Sequence, residues 1–132
     1  MGKDLIQVVA GINIKYVDNI PFVLLGLKPS GIWEFPGGKV ENQESHSETM
    51  EREWIEELGV MIECEHEHFG HARTGAYEVW FYELDIKQDD YQDGEPVSQE
   101  HVNAKYFRLD EVGGIELNQI NRTMLSKLVN KY

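Results

Sequence analysis

Residues 38–60 read GKVENQESHSETMEREWIEELGV. Ser45 is followed three residues later by Glu48, the pattern of a capping box, and Gly59 stands where a helix stops. The spacing predicts a helix over 45–58. Met50, Trp54 and Leu58 recur at i, i+4 and i+8, a stripe that faces a core. Glu53, Glu56 and Glu57 fall at i, i+3 and i+4, so their carboxylates share one face. Such neighbours repel at a cost of a few tenths of a kcal/mol per pair, roughly. Glu57 also sits near the helix C-terminus, the wrong end for a negative charge. Two readings follow: a solvated face that tolerates the repulsion, or a site for a hard divalent cation, which takes oxygen ligands. Gly37 and Gly38 precede the helix as a flexible loop whose backbone can approach a phosphate or offer a carbonyl to a metal. Arg52 lies beside the acids and Glu44 eight residues before it, an Arg–Glu pair suited to pin that loop to the helix.

Working outward, residues 5–14 are rich in β-branched side chains and read as a strand. Residues 17–21 read as a turn, 22–27 as a second strand and 28–31 as a loop. Trp33, Glu34 and Phe35 form a short extended piece, and 36–38 a loop. Residues 60–64, 77–84 and 102–107 read as strands. Residues 87–95 are polar, with a turn at Asp93-Gly94. A second helix spans 118–129, with Ile120, Met124 and Leu128 on one stripe and Asn118 as a cap. Strands, helix, strands, helix is the order of an α/β fold with helices packed on a mixed sheet. At 132 residues, with no linker or repeat, residues 1–132 are expected to form a single domain with a real core.

Apolar residues make up 41% and charged residues 27%, as in ordinary globular proteins. The 24 acids against 12 Lys and Arg give a net charge of −12. That charge repels a phosphate backbone and an anionic bilayer, so neither a nucleic-acid polymer nor a membrane is an expected partner. A small anion stays possible, because a bound cation inverts the local sign. The single cysteine, Cys64, excludes an internal disulfide framework and reads as packed rather than nucleophilic. No apolar run is long enough for a membrane span, the N-terminus lacks the pattern of a secretory signal, and a cytoplasmic location is the expectation. The five histidines do not make a zinc set. His66 and His68 would share one face of a strand, and the acids over 63–67 read as a solvated edge.

The stretch from Gly38 to Val60 resembles the Nudix box: Gly, five residues, Glu, seven residues, Arg-Glu, an apolar residue, any residue, Glu-Glu, any residue, Gly, apolar. Gly38, Glu44, Arg52, Glu53, Trp54, Glu56, Glu57, Gly59 and Val60 meet every position. The resemblance implies an α/β/α sandwich around a mixed sheet, and hydrolysis of a nucleoside diphosphate linked to another moiety. It implies Mg²⁺, with Mn²⁺ as a substitute, held by Glu53, Glu56 and Glu57 with the Gly37 carbonyl. Arg52 would orient Glu53, with Glu44 as its partner.

Residues 33–41, WEFPGGKVE, are similar to the corresponding stretch of MutT-like nucleoside triphosphate pyrophosphohydrolases. That likeness makes Glu34, Phe35, Gly37 and Gly38 substrate candidates, with a core role the alternative for Phe35. Lys28 stands where such relatives carry an arginine near the phosphates, and a solvated lysine is its alternative; the loop after it is shorter than theirs. Glu100, before an aromatic strand, resembles a further metal ligand or general base, with a plain loop acid the alternative. Asn121 aligns with an asparagine that reads a purine edge, with Asn118 as competitor. Arg73, in a glycine-flanked segment, reads as a surface loop residue before a phosphate ligand. Tyr77, Trp80 and Tyr82 read as sheet packing before base stacking.

The implied reaction is cleavage of a (deoxy)nucleoside triphosphate to the monophosphate and pyrophosphate, with oxidised guanine or cytidine nucleotides as substrates. The expected partner is a small nucleotide and the expected state a monomer or homodimer. ADP-ribose, a dinucleoside polyphosphate or a capped RNA end are alternatives within the family. A non-catalytic nucleotide-binding module is the alternative outside it, although such modules usually lose the glutamates that are all present here.

Overall fold

The computed structural model describes residues 5–87 and 103–132. Strand β1 (Ile6–Ile12) lies at the middle of one sheet, between β5 (Gly37–Lys39), antiparallel to it, and β8 (Tyr77–Ile86), parallel to it. β8 also pairs antiparallel with β6 (Ile62–Cys64) and β7 (Gly70–Thr74). A second sheet is built on β3 (Ile20–Leu27), flanked by β2 (Ile14–Val17), β4 (Trp33–Glu34) and β9 (Asn103–Arg108). Helix α1 (His46–Leu58) covers one face and α2 (Gln119–Lys131) the other.

The period-2 alternation along β1 and β8 sorts side chains between these helices. Ala10, Ile12 and Phe81 pack with Met124, Leu125 and Leu128 of α2. Val9 and Leu84 pack with Met50, Trp54 and Leu58 of α1, the stripe expected from the sequence. Mixed strand directions with a helix layer on each face give the α/β architecture expected for this chain.

The boundaries of α1 come from its caps. Ser45 Oγ accepts from the Glu48 amide at 3.0 Å, and the Glu48 carboxylate accepts from the Ser45 amide at 2.8 Å. Gly59 ends the helix at φ 70, a left-handed conformation that favours glycine, and its amide donates to the Ile55 carbonyl. Asn118 caps α2 by accepting from the Asn121 amide at 2.8 Å.

Four local expectations change. The first strand does not run unbroken to residue 14. Asn13 interrupts it, donating to the Leu84 carbonyl at 3.1 Å and accepting from Tyr106 at 2.6 Å, and the chain passes there into the second sheet. Residues 37–39 are a strand rather than a loop, because Gly37 and Gly38 pair with Ala10 and Val9. Residues 70–74 are a strand paired with β8, not a surface loop; two flanking glycines disguise it. His66 and His68 lie in the turn between β6 and β7, not on a strand. The polar stretch beyond Lys87, with Asp93-Gly94, lies outside the described residues.

Trp54 is fully buried and its indole N–H donates to the Pro36 carbonyl at 3.1 Å. Trp54→Ala should therefore cost about 3–5 kcal/mol of stability. Ser45→Ala, which removes only the cap, should cost about 1 kcal/mol. Urea unfolding of the two variants checks both the order and the size.

Candidate active site

The three glutamates share a face of α1 but not an environment. Glu57 is 1% exposed and Glu53 8%, whereas the Glu56 side chain is 54% exposed. A solvated face does not describe the first two. A carboxylate out of water is costly unless something compensates its charge. Part of that compensation is Arg52, whose guanidinium lies 3.5 Å from Glu53 and 3.3 Å from Glu56.

Arg52 is itself fixed by Glu44. Its Nε and Nη2 donate to the two Glu44 oxygens at 2.7 and 3.0 Å, the planar fork that only arginine supplies. Nη2 also reaches the Lys39 carbonyl at 3.2 Å, so the loop is tied to the helix as expected. Glu44 further accepts from the Thr49 hydroxyl at 2.9 Å and the Glu41 amide at 3.0 Å. Arg52 above all, with the Glu41 amide, holds the Glu44 carboxyl down to about 2, while Glu44 raises Arg52 in turn.

Glu53 rests directly on Gly38. A Cβ at residue 38 would stand 2.2 Å from Glu53 Oε2, so any larger residue there must displace this carboxylate. On the α2 side of the sheet, Gly37 and Gly38 border a cleft of about 360 Å³. Lys28, Glu34, Phe35 and Asn121 border the same cleft, so the six substrate candidates read from the sequence come together there. Phe35 carries both roles weighed for it: it is buried, edge-on to Phe81 at 5.6 Å, and forms part of the cleft wall. Lys28 pairs with Glu34 at 3.8 Å across the mouth. Asn121 is buried, and Asn118, although it caps α2, lines the cleft beside it.

Thr74 and Lys39 also line the cleft and escaped the sequence reading, and Tyr77, for which base stacking was the second reading, lines it too. The signal for Tyr77 was the alternation itself. Tyr77, Val79 and Phe81 fall on one face, and Trp80 and Tyr82 on the other, packed with the α1 cluster. So Tyr77, 38% exposed, departs from the sheet-packing role expected of all three aromatics. Arg73 pairs with Glu78 at 3.4 Å at the exposed end of β7. Cys64 is half-buried, and burial, with Glu51 and Glu65, pushes its thiol up to about 12, which suits packing and not nucleophilic attack. Glu100 lies outside the described residues.

The acidic set suits a hard divalent cation in donor chemistry. It is all oxygen, and two of its carboxylates are withdrawn from bulk water. Among the described residues, no three His, Cys, Asp or Glu side chains already converge on a single ion position. Glu56 instead leans toward Arg52.

Residues 22–128 match the NUDIX domain, and the chain belongs to that family. It is 30% identical over 96 residues to the oxidized purine nucleoside triphosphate hydrolase of Mus musculus, across 68% of this chain and 60% of that protein. It is 41% identical over 61 residues to the CTP pyrophosphohydrolase of Escherichia coli, covering 42% of each. The matched stretches thus span less than two thirds of these relatives. In structure it resembles one from work on MutT of Aliivibrio salmonicida and Vibrio cholerae: TM-score 0.78, 26% identity, 98% of this chain and all of that one.

The lowered Glu44 carboxyl makes a pH prediction. A group held below its unfolded value stabilises the fold above that value, and the contribution disappears as pH falls through the folded value. Wild type should lose stability relative to Glu44→Gln between about 4.5 and about 2. Denaturant midpoints of both proteins across that range measure the difference, and parallel profiles would reject it.

Proposed function

We propose that this chain hydrolyses a (deoxy)nucleoside triphosphate to the monophosphate and pyrophosphate. The observation that carries the reading is that Gly37 and Gly38 border the cleft while Glu53 rests on Gly38. A nucleoside seated in the cleft has only this glycine strand between it and the acidic helix, so its phosphates lead to the carboxylates. The mouse and Escherichia coli relatives, an oxidized purine nucleoside triphosphate hydrolase and a CTP pyrophosphohydrolase, support a nucleoside triphosphate substrate. Oxidised guanine and cytidine nucleotides are the two substrates we favour, since those names give an oxidised purine and CTP.

Glu53, Glu56 and Glu57, with the Gly37 carbonyl, are the residues we assign to hold Mg²⁺, for which Mn²⁺ would substitute. A bound divalent cation supplies charge neutralisation on the phosphate oxygens and a water acidified for attack. The chain's own side chains do the rest. Arg52, fixed by Glu44, keeps Glu53 and Glu56 from swinging away. Lys28 offers a point charge to the phosphates once it leaves Glu34. Phe35 offers a ring edge to the base, and Asn121 a donor and an acceptor. Glu100 is assigned as a further ligand or as the base. The substrate is a free nucleotide, the protein acts as a monomer or homodimer, and its location is cytoplasmic. Among the described residues, no helix is long and apolar enough to cross a membrane.

The test is release of pyrophosphate against orthophosphate with Mg²⁺. The panel holds common and oxidised nucleoside triphosphates, ADP-ribose and a dinucleoside tetraphosphate. Pyrophosphate from a triphosphate is the expected result, and it names the base. Activity confined to ADP-ribose or the dinucleotide would move the protein to another branch of its family, and silence across the panel would favour a binding module.

Two variants accompany the panel. Glu57→Gln, isosteric and uncharged, should lower turnover roughly 10²-fold or more while the circular dichroism spectrum is kept. Gly38→Ala, which displaces Glu53, should lower it roughly 10- to 100-fold. Full activity in Glu57→Gln would remove the metal assignment.

A further inference from the structure

Three histidines from separate parts of the chain gather on the α1 side of β8. His46 is the first residue of α1, His68 lies in the turn before β7, and His71 is in β7. They surround Trp80. His71 stacks on the indole at 4.5 Å between ring centres and 13° between planes, His68 meets it edge-on at 4.8 Å, and His46 lies at 5.5 Å. His46 Nδ1 is 2.8 Å from the Tyr82 hydroxyl oxygen. The proposed reaction uses none of these side chains.

We propose that this cluster is a proton-sensitive latch on the N-terminus of α1, with His46 as its titrating member. It is closed while the imidazole is neutral and weakened when it takes up a proton. The helix it holds is the one that carries Glu53, Glu56 and Glu57.

The groups that face His46 decide the sign. Glu78 and Tyr82 face it from β8 and His68 from the turn. Cys64 on β6 faces Tyr82, and Arg73 on β7 is spent on Glu78, which also accepts from Gln7 at 2.7 Å. The hydrogen bond to Tyr82 survives protonation, because a phenol accepts as readily as it donates. The penalty is electrostatic. An imidazolium at the first turn stands on the positive end of the helix dipole, within electrostatic reach of His68 and partly out of water. Glu78 attracts it, but that carboxylate is already held by Gln7 and Arg73. Burial accordingly lowers His46 from its ordinary value, ahead of the opposing pull of Glu78. Such a group stabilises fully above its unfolded value, near 6.5, and the contribution is lost as pH falls through the lower folded value.

Hydrogen exchange of the α1 amides over residues 50–53, in the full chain at pH 7.5 and 5.5, tests the latch after correction for intrinsic chemistry. Wild type should lose protection about two- to fivefold at the lower pH. His46→Gln keeps a partner for Tyr82 and does not titrate, so its protection should be the same at both. Constant protection in wild type, or an equal loss in His46→Gln, overturns the latch. Should His46→Gln fail to fold, wild type decides alone: the His46 imidazole resonance must titrate over the interval in which protection falls, and a mismatch overturns the proposal. The consequence for turnover rests on the proposed reaction, but the exchange measurement does not. A fall in activity at pH 5.5 with constant protection counts against the latch and leaves the reaction standing.

Discussion

A helix that carries buried carboxylates has to lie against a strand with no side chains in the way. Glu53 takes the space that a Cβ at residue 38 would fill, and a Cβ at Gly37 would stand 1.9 Å from the Val9 carbonyl oxygen. Two consecutive glycines therefore let β5 approach β1 on one side and α1 on the other. Much of the site follows from that close approach. The Pro36 carbonyl is brought under the Trp54 indole, the Lys39 carbonyl meets Arg52, and the outer side of the strand is left as a wall of the cleft. Bulk at Gly38 would press on Glu53 and the helix, and bulk at Gly37 would press β5 away from β1.

The charge pattern of α1 is intelligible only with that packing in view. On an isolated helix, three glutamates toward the C-terminus oppose both each other and the dipole. A surface helix could relieve this by letting the side chains spread into water. Here the apolar stripe of Met50, Trp54 and Leu58 fixes the helix rotation, and the rotation carries Glu53 and Glu57 inward with it. Arg52 cannot neutralise all three, since its fork is committed to Glu44. The core thus holds an excess of negative charge in place. That excess opposes stability and favours a cation, and the hydrophobic stripe maintains it.

The parts of the fold legible in the sequence were those set by short-range patterns. The capping box, the Gly59 stop, the apolar stripe and the Arg52–Glu44 pair each depend on residues a few positions apart, and each has a single physical reading. The substrate candidates, read through family likeness, converge on one cleft although they lie up to 93 positions apart, from Lys28 to Asn121. What stayed hidden depends on partners distant in the chain. Gly37–Lys39 looks like a loop until β1 is laid beside it. Gly70–Thr74 has no alternation to mark it and becomes a strand by pairing with β8. Asn13 looks like a strand residue until Leu84 and Tyr106 supply its hydrogen bonds. The three aromatics of β8 looked alike because composition does not say which face of a sheet meets the cleft.

The two faces of this one sheet divide the work unequally. On the α1 side, Glu44, Arg52, Glu53 and Gly38 constrain one another through an ion-pair fork and a steric fit, so a change at one disturbs the rest. On the α2 side, Lys28, Thr74, Tyr77 and Asn121 come from four separate elements or loops around one space, with Thr74 and Tyr77 paired across β7 and β8. Each can change without dismantling its neighbours. On the proposed function, an arrangement of this kind lets the cleft be refitted to different bases while the acidic helix stays as it is. Relatives whose names give an oxidised purine and a cytidine nucleotide as substrates are what such a division would produce. On the proposed function it also explains why the residues that identify the family say least about the base: they belong to the constrained face, and the proposed base site lies on the other.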